Sequence, residues 1–306
     1  MRQSSSSRIL LQTTIEDDPD DWSIRRFSLL AEELRAAGHQ VIARNRADGP
    51  GDDPVLSQVD QLGVDQVWLM AVDTGSGLTT KETDAIVRLR ESGGGVLTAR
   101  DHQQLGSCLR RLGSLGKVNQ FHDETVDPET MCDDRNTPEI SWPNYHSGAN
   151  GDYQPVLTGE PVHELLRTTN NASGHIEWFP AHPHEGLVSA DVPCAAVVAQ
   201  GRSLATGRHF NLAVAVDGEL TPDGRPMGRA IAESTFHHFA DYNWDTDRGA
   251  PSFVSEPPGR HIKADPARLR IFKDYVRNAA TWLGADGGRK PSRRNGGVLD
   301  DTLLVP

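Results

Sequence analysis

Gly95-Val-Leu-Thr-Ala99-Arg100-Asp101-His102-Gln103-Gln104-Leu105-Gly106 decides how the rest of the chain is read. Its first five residues form a short apolar run of the kind that fills a buried strand, and two polar titratable residues follow at once. The pattern around it repeats. Ile9-Leu-Leu-Gln-Thr13, Gln40-Val-Ile-Ala43 and Gln66-Val-Trp-Leu-Met-Ala71 are strands of the same type. Between the first two, Phe27, Leu30, Ala31 and Leu34 mark one face of a helix that stops at Gly38. Before the quoted stretch, Thr79 and Glu82 form a capping box that opens a helix carrying Ala85, Ile86 and Leu89. A further helix is expected near Gln103 to Leu112. Strands alternating with helices of this length imply a parallel sheet covered on both faces.

The pattern fades from Gly113 to about Asp191, a stretch rich in Asn, Asp, Pro, Gly and His with a short helical piece near Val162 to Arg167. A connection this long is usually functional or carries small structure of its own. Strands resume at Ala195–Ala199, Phe210–Ala215 and Arg229–Thr235, with Asp217 to Asp223 as a hairpin connection. A closing helix begins at Asp265-Pro266 and carries Leu269, Phe272, Val276, Ala279 and Leu283. One α/β domain over residues 8–284, with an insertion at about 113–191 and a flexible basic tail over 285–306, accounts for the whole chain.

The chain has 306 residues and a formal net charge of −12. That balance argues against nucleic acid as a partner, since phosphate contacts need clustered Lys and Arg. No apolar run approaches the ~18 residues a membrane span needs. Residues Met1 to Ser7 lack the apolar region of a signal peptide. The three cysteines, Cys108, Cys132 and Cys194, are odd in number and widely spaced. A cytoplasmic protein with a small-molecule substrate is expected, and a homo-oligomer is left open.

In an open α/β sheet, ligands bind beyond the carboxyl ends of the strands. Four segments bring chemistry there. Asp101 and His102 sit at a strand-to-helix turn, where Asp101 can serve as a catalytic group or simply as an N-cap. In Pro180-Ala-His182-Pro183-His184-Glu185-Gly186, extended backbone points residues two apart the same way, so His182 and His184 can converge on one ion. A polar loop explains the same segment. In Ser234-Thr-Phe-His237-His238-Phe239-Ala-Asp-Tyr-Asn243-Trp244, strand alternation sends His237 and His238 to opposite faces, so at most one ligates directly and the other packs beneath. Asn243 is a candidate substrate contact. Arg135, in Cys132-Asp-Asp-Arg-Asn-Thr137, is another, although an exposed turn would explain that segment equally well. The acidic loop Glu16 to Asp21 follows the first strand and so lies at the same edge.

The run Gly93 to His102 and the closing Tyr275-Val-Arg-Asn-Ala-Ala-Thr-Trp-Leu-Gly284 resemble the class I glutamine amidotransferase-like superfamily, and within it the trehalose-utilisation (ThuA-like) branch and related bacterial proteins. The shared islands are Asp101-His102-x-x-Leu105-Gly106, Asp134-Arg135-x-Thr137, His182-x-His184-Glu185-Gly186 and Ser234-Thr-x-His237-His238-Phe239. The resemblance implies a flavodoxin-like, three-layer sheet, and a substrate of polyol or glycoside type. Amidotransfer does not carry over. That chemistry needs a cysteine at the elbow, where this chain reads Ala99-Arg-Asp-His-Gln103.

The reading that results is a metal-dependent hydrolase or lyase. His182, His184, His237 and His238 are the candidate ligands of a divalent ion (zinc, iron or manganese), Asp101, His102 and Glu185 the acid–base groups, and Arg135 and Asn243 the substrate contacts. Two alternatives are a non-catalytic ligand-binding or sensing module on the same fold, and a metal-free acid–base site built from Asp101, His102 and His237.

Overall fold

Alternation of buried residues builds two cores on one sheet. In the computed structural model, which describes residues 6–123 and 137–284, Ile9 and Leu11 face one way and Leu10 the other. Trp68 and Met70 likewise oppose Val67 and Leu69. Successive side chains of a strand point to opposite faces, so a strand apolar at every position must be covered on both.

The strands are β1 (Arg8–Thr13), β2 (Gln40–Arg44), β3 (Gln66–Met70), β4 (Gly95–Ala99), β5 (Asn119–Gln120), β6 (Tyr153–Pro155), β7 (Trp178–Pro180), β8 (Leu187–Val188), β9 (Ala195–Arg202), β10 (His209–Val216) and β11 (Ala230–Glu233). The helices are α1 (Ser28–Ala36), α2 (Thr80–Glu91), α3 (Ser114–Val118), α4 (Asp241–Trp244), α5 (His261–Ala264) and α6 (Pro266–Gly284). Seven strands form the central sheet in the order β2-β1-β3-β4-β11-β10-β9. On one face Leu30 and Leu34 of α1 pack with Phe272, Tyr275 and Val276 of α6. On the other, Ala85, Ile86 and Leu89 of α2 pack with Leu109 and Leu115. This is a mostly parallel, flavodoxin-like three-layer α/β fold.

β10 runs antiparallel to both β9 and β11, as the hairpin expected at Asp217 to Asp223 requires of the β10–β11 pair. The cause is local. Leu220 bridges Pro226, closing a short hairpin between β10 and β11, and a hairpin can join only antiparallel neighbours. The capping box at α2 forms as expected, and Glu82 additionally accepts from the Arg46 guanidinium at 2.8 Å.

Three expected elements are corrected. No α-helix runs from Gln103 to Leu112: Gln103 and Gly106 both take positive φ (47° and 84°), so the chain turns twice and leaves only a 3₁₀ helix at Ser107–Arg111. Asp101 is therefore not an N-cap. The piece near Val162 shrinks to a 3₁₀ turn, Glu164–Leu166, capped by His163. β11 ends at Glu233, and Phe236–Phe239 form another 3₁₀ turn, so strand alternation does not place His237 and His238. Inside the insertion, β5 pairs with β8 and β6 with β7 as two small antiparallel ribbons. Cys132, Arg135 and the 285–306 tail lie outside the described residues.

Candidate metal centre

Backbone hydrogen bonds join the three histidine-bearing segments before any side chain does. Arg100 N–H donates to the Glu233 carbonyl at 3.3 Å, Phe236 N–H to the Arg100 carbonyl at 2.8 Å and Gly186 N–H to the Ser234 carbonyl at 3.1 Å. A Cβ at Gly186 would fall on the Asp101 carbonyl oxygen and lie 2.7 Å from that of Ser234, so only glycine lets the three strands of chain meet. Arg100, fully buried, pins the turn: its guanidinium donates to the carbonyls of Asp101 and Gln103, both at 2.7 Å, and lies over the Phe121 ring.

Asp101 is the hub of the side chains. Its Oδ2 pairs with His102 Nδ1 at 2.9 Å and stands 3.5 Å from His237 Nε2. Its Oδ1 accepts from the Thr235 hydroxyl at 2.8 Å and stands 3.7 Å from His182 Nε2. The His182 and His237 rings stack with centroids 3.4 Å apart and an interplanar angle of 16°. Two imidazolium ions would repel at that separation, and burial already disfavours charge. Burial first, then the opposing ring, pushes His182 well below the ordinary 6.5, and burial lowers His237. Burial also penalises Asp101 as an anion, but the imidazoles around it outweigh that and hold its carboxyl well below the usual range.

Each stacked ring is held by its other nitrogen. His182 Nδ1 pairs with Asn150 Oδ1 at 2.8 Å, and His237 Nδ1 pairs with the Tyr242 hydroxyl. Nε2 of both is thereby aimed at Asp101, and that of His182, buried, has no hydrogen-bond partner. Ligand atoms of Asp101, His182 and His237 all lie within 4.8 Å of one another. His237 Nε2 stands 3.5 Å from Asp101 Oδ2 and His182 Nε2 3.7 Å from Asp101 Oδ1, near the edge of about 3.4 Å of a tetrahedral zinc site, so these three residues could hold a divalent cation.

The remaining expected residues fall into different places. His184 sits at the rim, its ring 5.5 Å from His102 and 5.7 Å from His182. Its Nδ1 lies 3.1 Å from Asn144 Oδ1 and its Nε2 3.3 Å from Glu256 Oε1. Burial, then His102, lowers its pKa. His102 is the most open of the group, its side chain 19% exposed.

Glu185, expected as a general base, is instead fully buried and saturated. The hydroxyls of Ser147 (2.6 Å) and Ser234 (2.8 Å) and the Gln154 amide all donate to it. His238, expected among the ligands, lies between two carboxylates, with Nδ1 3.2 Å from Glu233 and Nε2 3.3 Å from Glu185, the latter an ion contact without hydrogen-bond alignment. Burial opposes its charge, yet the two carboxylates lift it to about 9. Asn243, expected to touch substrate, spends both ends on the fold: Oδ1 accepts from Gly151 N–H, and Nδ2 donates to the carbonyls of Ala181 and His237.

Sequence reasoning missed Asn150, Asn144, Glu233 and Glu256. Glu233 had a signal, being an acidic residue at the end of an apolar strand. The others are ordinary loop residues whose part only the packing reveals.

A mostly parallel α/β sheet with a carboxylate–histidine cluster at its carboxyl edge is the class these features define. Among the described residues no cysteine joins this cluster. Cys108 is buried and donates to Asp73, and burial followed by that carboxylate raises its pKa well above the usual range. No helix among the described residues is long and apolar enough to cross a membrane.

No protein-family model and no curated protein matches the chain. Similar solved structures include a putative ThuA-like protein from Parabacteroides merdae (10% identity, TM-score 0.48, 94% of each chain covered). A cytoplasmic protein from Salmonella typhimurium is similar at 12% identity and TM-score 0.38, over 74% of this chain and 87% of that one. The glutaminase domain of Trypanosoma brucei CTPS is similar at 14% identity and TM-score 0.43, over 92% and 98%. At this depth the likenesses transfer no activity, and function must be argued from the site.

Proposed function

We propose that the chain is a metal-dependent hydrolase or lyase acting on a small polar, carbohydrate-like substrate. One observation carries the reading: a buried imidazole nitrogen, His182 Nε2, has no hydrogen-bond partner and points with His237 Nε2 at a single carboxylate. A buried polar atom without a partner costs about 1–3 kcal/mol, and a cation would relieve that cost here.

Asp101, His182 and His237 would hold the ion. A divalent cation there supplies Lewis acidity toward a substrate oxygen or water. Asn150 and Tyr242 fix ring tautomer and orientation, as outer-shell partners of metal-binding histidines do. His102 is the proton carrier: Asp101 holds its Nδ1, which leaves Nε2 to take or give a proton at the open side of the cluster. Glu185 and His238 act by position, as a buried ion contact beneath the segments that carry the ligands.

Titration of the purified, metal-stripped chain with Zn²⁺, Mn²⁺ and Fe²⁺ tests this. Saturable binding at one site is expected, lost in Asp101→Asn and His182→Ala but kept in His102→Gln, which loses turnover instead. Binding no tighter in the parent chain than in Asp101→Asn would refute the metal centre. Tight binding without turnover on a panel of glycosides and esters would favour the sensing module.

A further inference from the structure

Beside the cluster lies a cavity of about 260 Å³ lined by Asn150, Tyr242, Ala250, Val254, Glu256 and Pro258, among others. Three of these residues each hold one of the site's histidines: Asn150 holds His182, Tyr242 holds His237 and Glu256 holds His184. Glu256 therefore borders both the cavity and the rim where His184 meets His102. Its side chain is 40% exposed, and among the described residues no Lys or Arg lies within ion-pair distance of it.

The segment carrying Glu256 is tied to the acidic loop by Ser252 N–H donating to the Asp20 carbonyl. Two cations of neighbouring segments are engaged elsewhere: Lys263 pairs with Asp247 at 2.5 Å, and the Arg26 guanidinium donates to the carbonyls of Asp21, Pro19 and Gly249. A half-enclosed carboxylate beside apolar walls, whose basic neighbour among the described residues is the His184 imidazole, favours positive charge and disfavours anions.

We infer that this cavity is the recognition subsite of the same centre and that Glu256 selects a substrate carrying a cationic amine. The inference rests on the reading of the histidine cluster as the reacting centre. The amine nitrogen sits against Glu256, the C–H face of the substrate's ring packs on Val254, Ala250 and Pro258, and the rest of the substrate extends past His184 toward His102.

Three probes of one shape and different charge test it by calorimetry on the full chain: cyclohexylamine, cyclohexanol and cyclohexanecarboxylate. The amine is expected to bind about tenfold more tightly than the alcohol, as a charge-assisted contact would give, with the carboxylate weakest. In Glu256→Gln the amine falls to the affinity of the alcohol, whose own binding is unchanged. No preference for the amine in the parent chain, a preference that survives Glu256→Gln, or no binding by any probe would overturn the inference. The measurement needs neither metal nor turnover. Failure of the amine preference therefore sinks the subsite alone, whereas failure of metal titration sinks the reacting centre.

Discussion

Replacing His238 by leucine removes the only positive charge between two buried carboxylates. Glu185 and Glu233 stand 3.3 and 3.2 Å from its ring nitrogens, all three side chains are fully buried, and burial already raises Glu233 above the ordinary carboxyl value. The imidazole is lifted from 6.5 to about 9, which corresponds to about 3 kcal/mol of folding free energy carried by the charged form. The sign follows from linkage. A base with a raised folded pKa contributes fully below its unfolded value of 6.5, loses about 1.4 kcal/mol per pH unit above it, and contributes nothing beyond about 9. The buried histidines His182 and His237 act in the opposite sense, because their lowered pKa values make acid, below 6.5, destabilising. Thermal unfolding should therefore be most resistant near pH 6.5–7 and weaken steadily toward pH 9. At pH 7, His238→Leu should lower the midpoint by roughly 5–10 °C for a chain of this size and leave the curve flat above pH 7. A parent chain equally stable at pH 7 and pH 9, or a leucine variant that keeps the alkaline decline, would refute the charged-sandwich argument.

Other expectations are more direct. Asn150→Leu should weaken divalent-metal binding about 10–100-fold while the fold persists, read by metal titration and circular dichroism. Gly186→Ala forces the backbone of Asp101 and Ser234 apart, so it should abolish metal binding and lower the unfolding midpoint, whereas Gly159→Ala, where a side chain meets nothing, should leave both unchanged. In thiol labelling of the native protein, exposed Cys194 should react and buried Cys108 should stay unmodified until denaturant is added.

Some of this protein was legible in the sequence alone because the underlying physics is local. Short continuous apolar runs announced β1, β3 and β4, period-3.6 apolar spacing announced α1 and α6, and the Thr79–Glu82 pair announced the start of α2. The residue types of Asp101, His182 and His237 were also readable, since few other side chains bring such chemistry to a strand end. What only the tertiary structure decided is non-local. The twofold turn at Gln103 and Gly106 and the partners of His182 and His184 depend on segments more than 30 residues apart. Glu185 shows why. Beside His184 in the chain it looks like a base, but it is fully buried, and three donors from distant parts of the chain occupy its oxygens. Residue type sets which chemistry is available, and only packing determines which atoms remain without a partner and so free to bind.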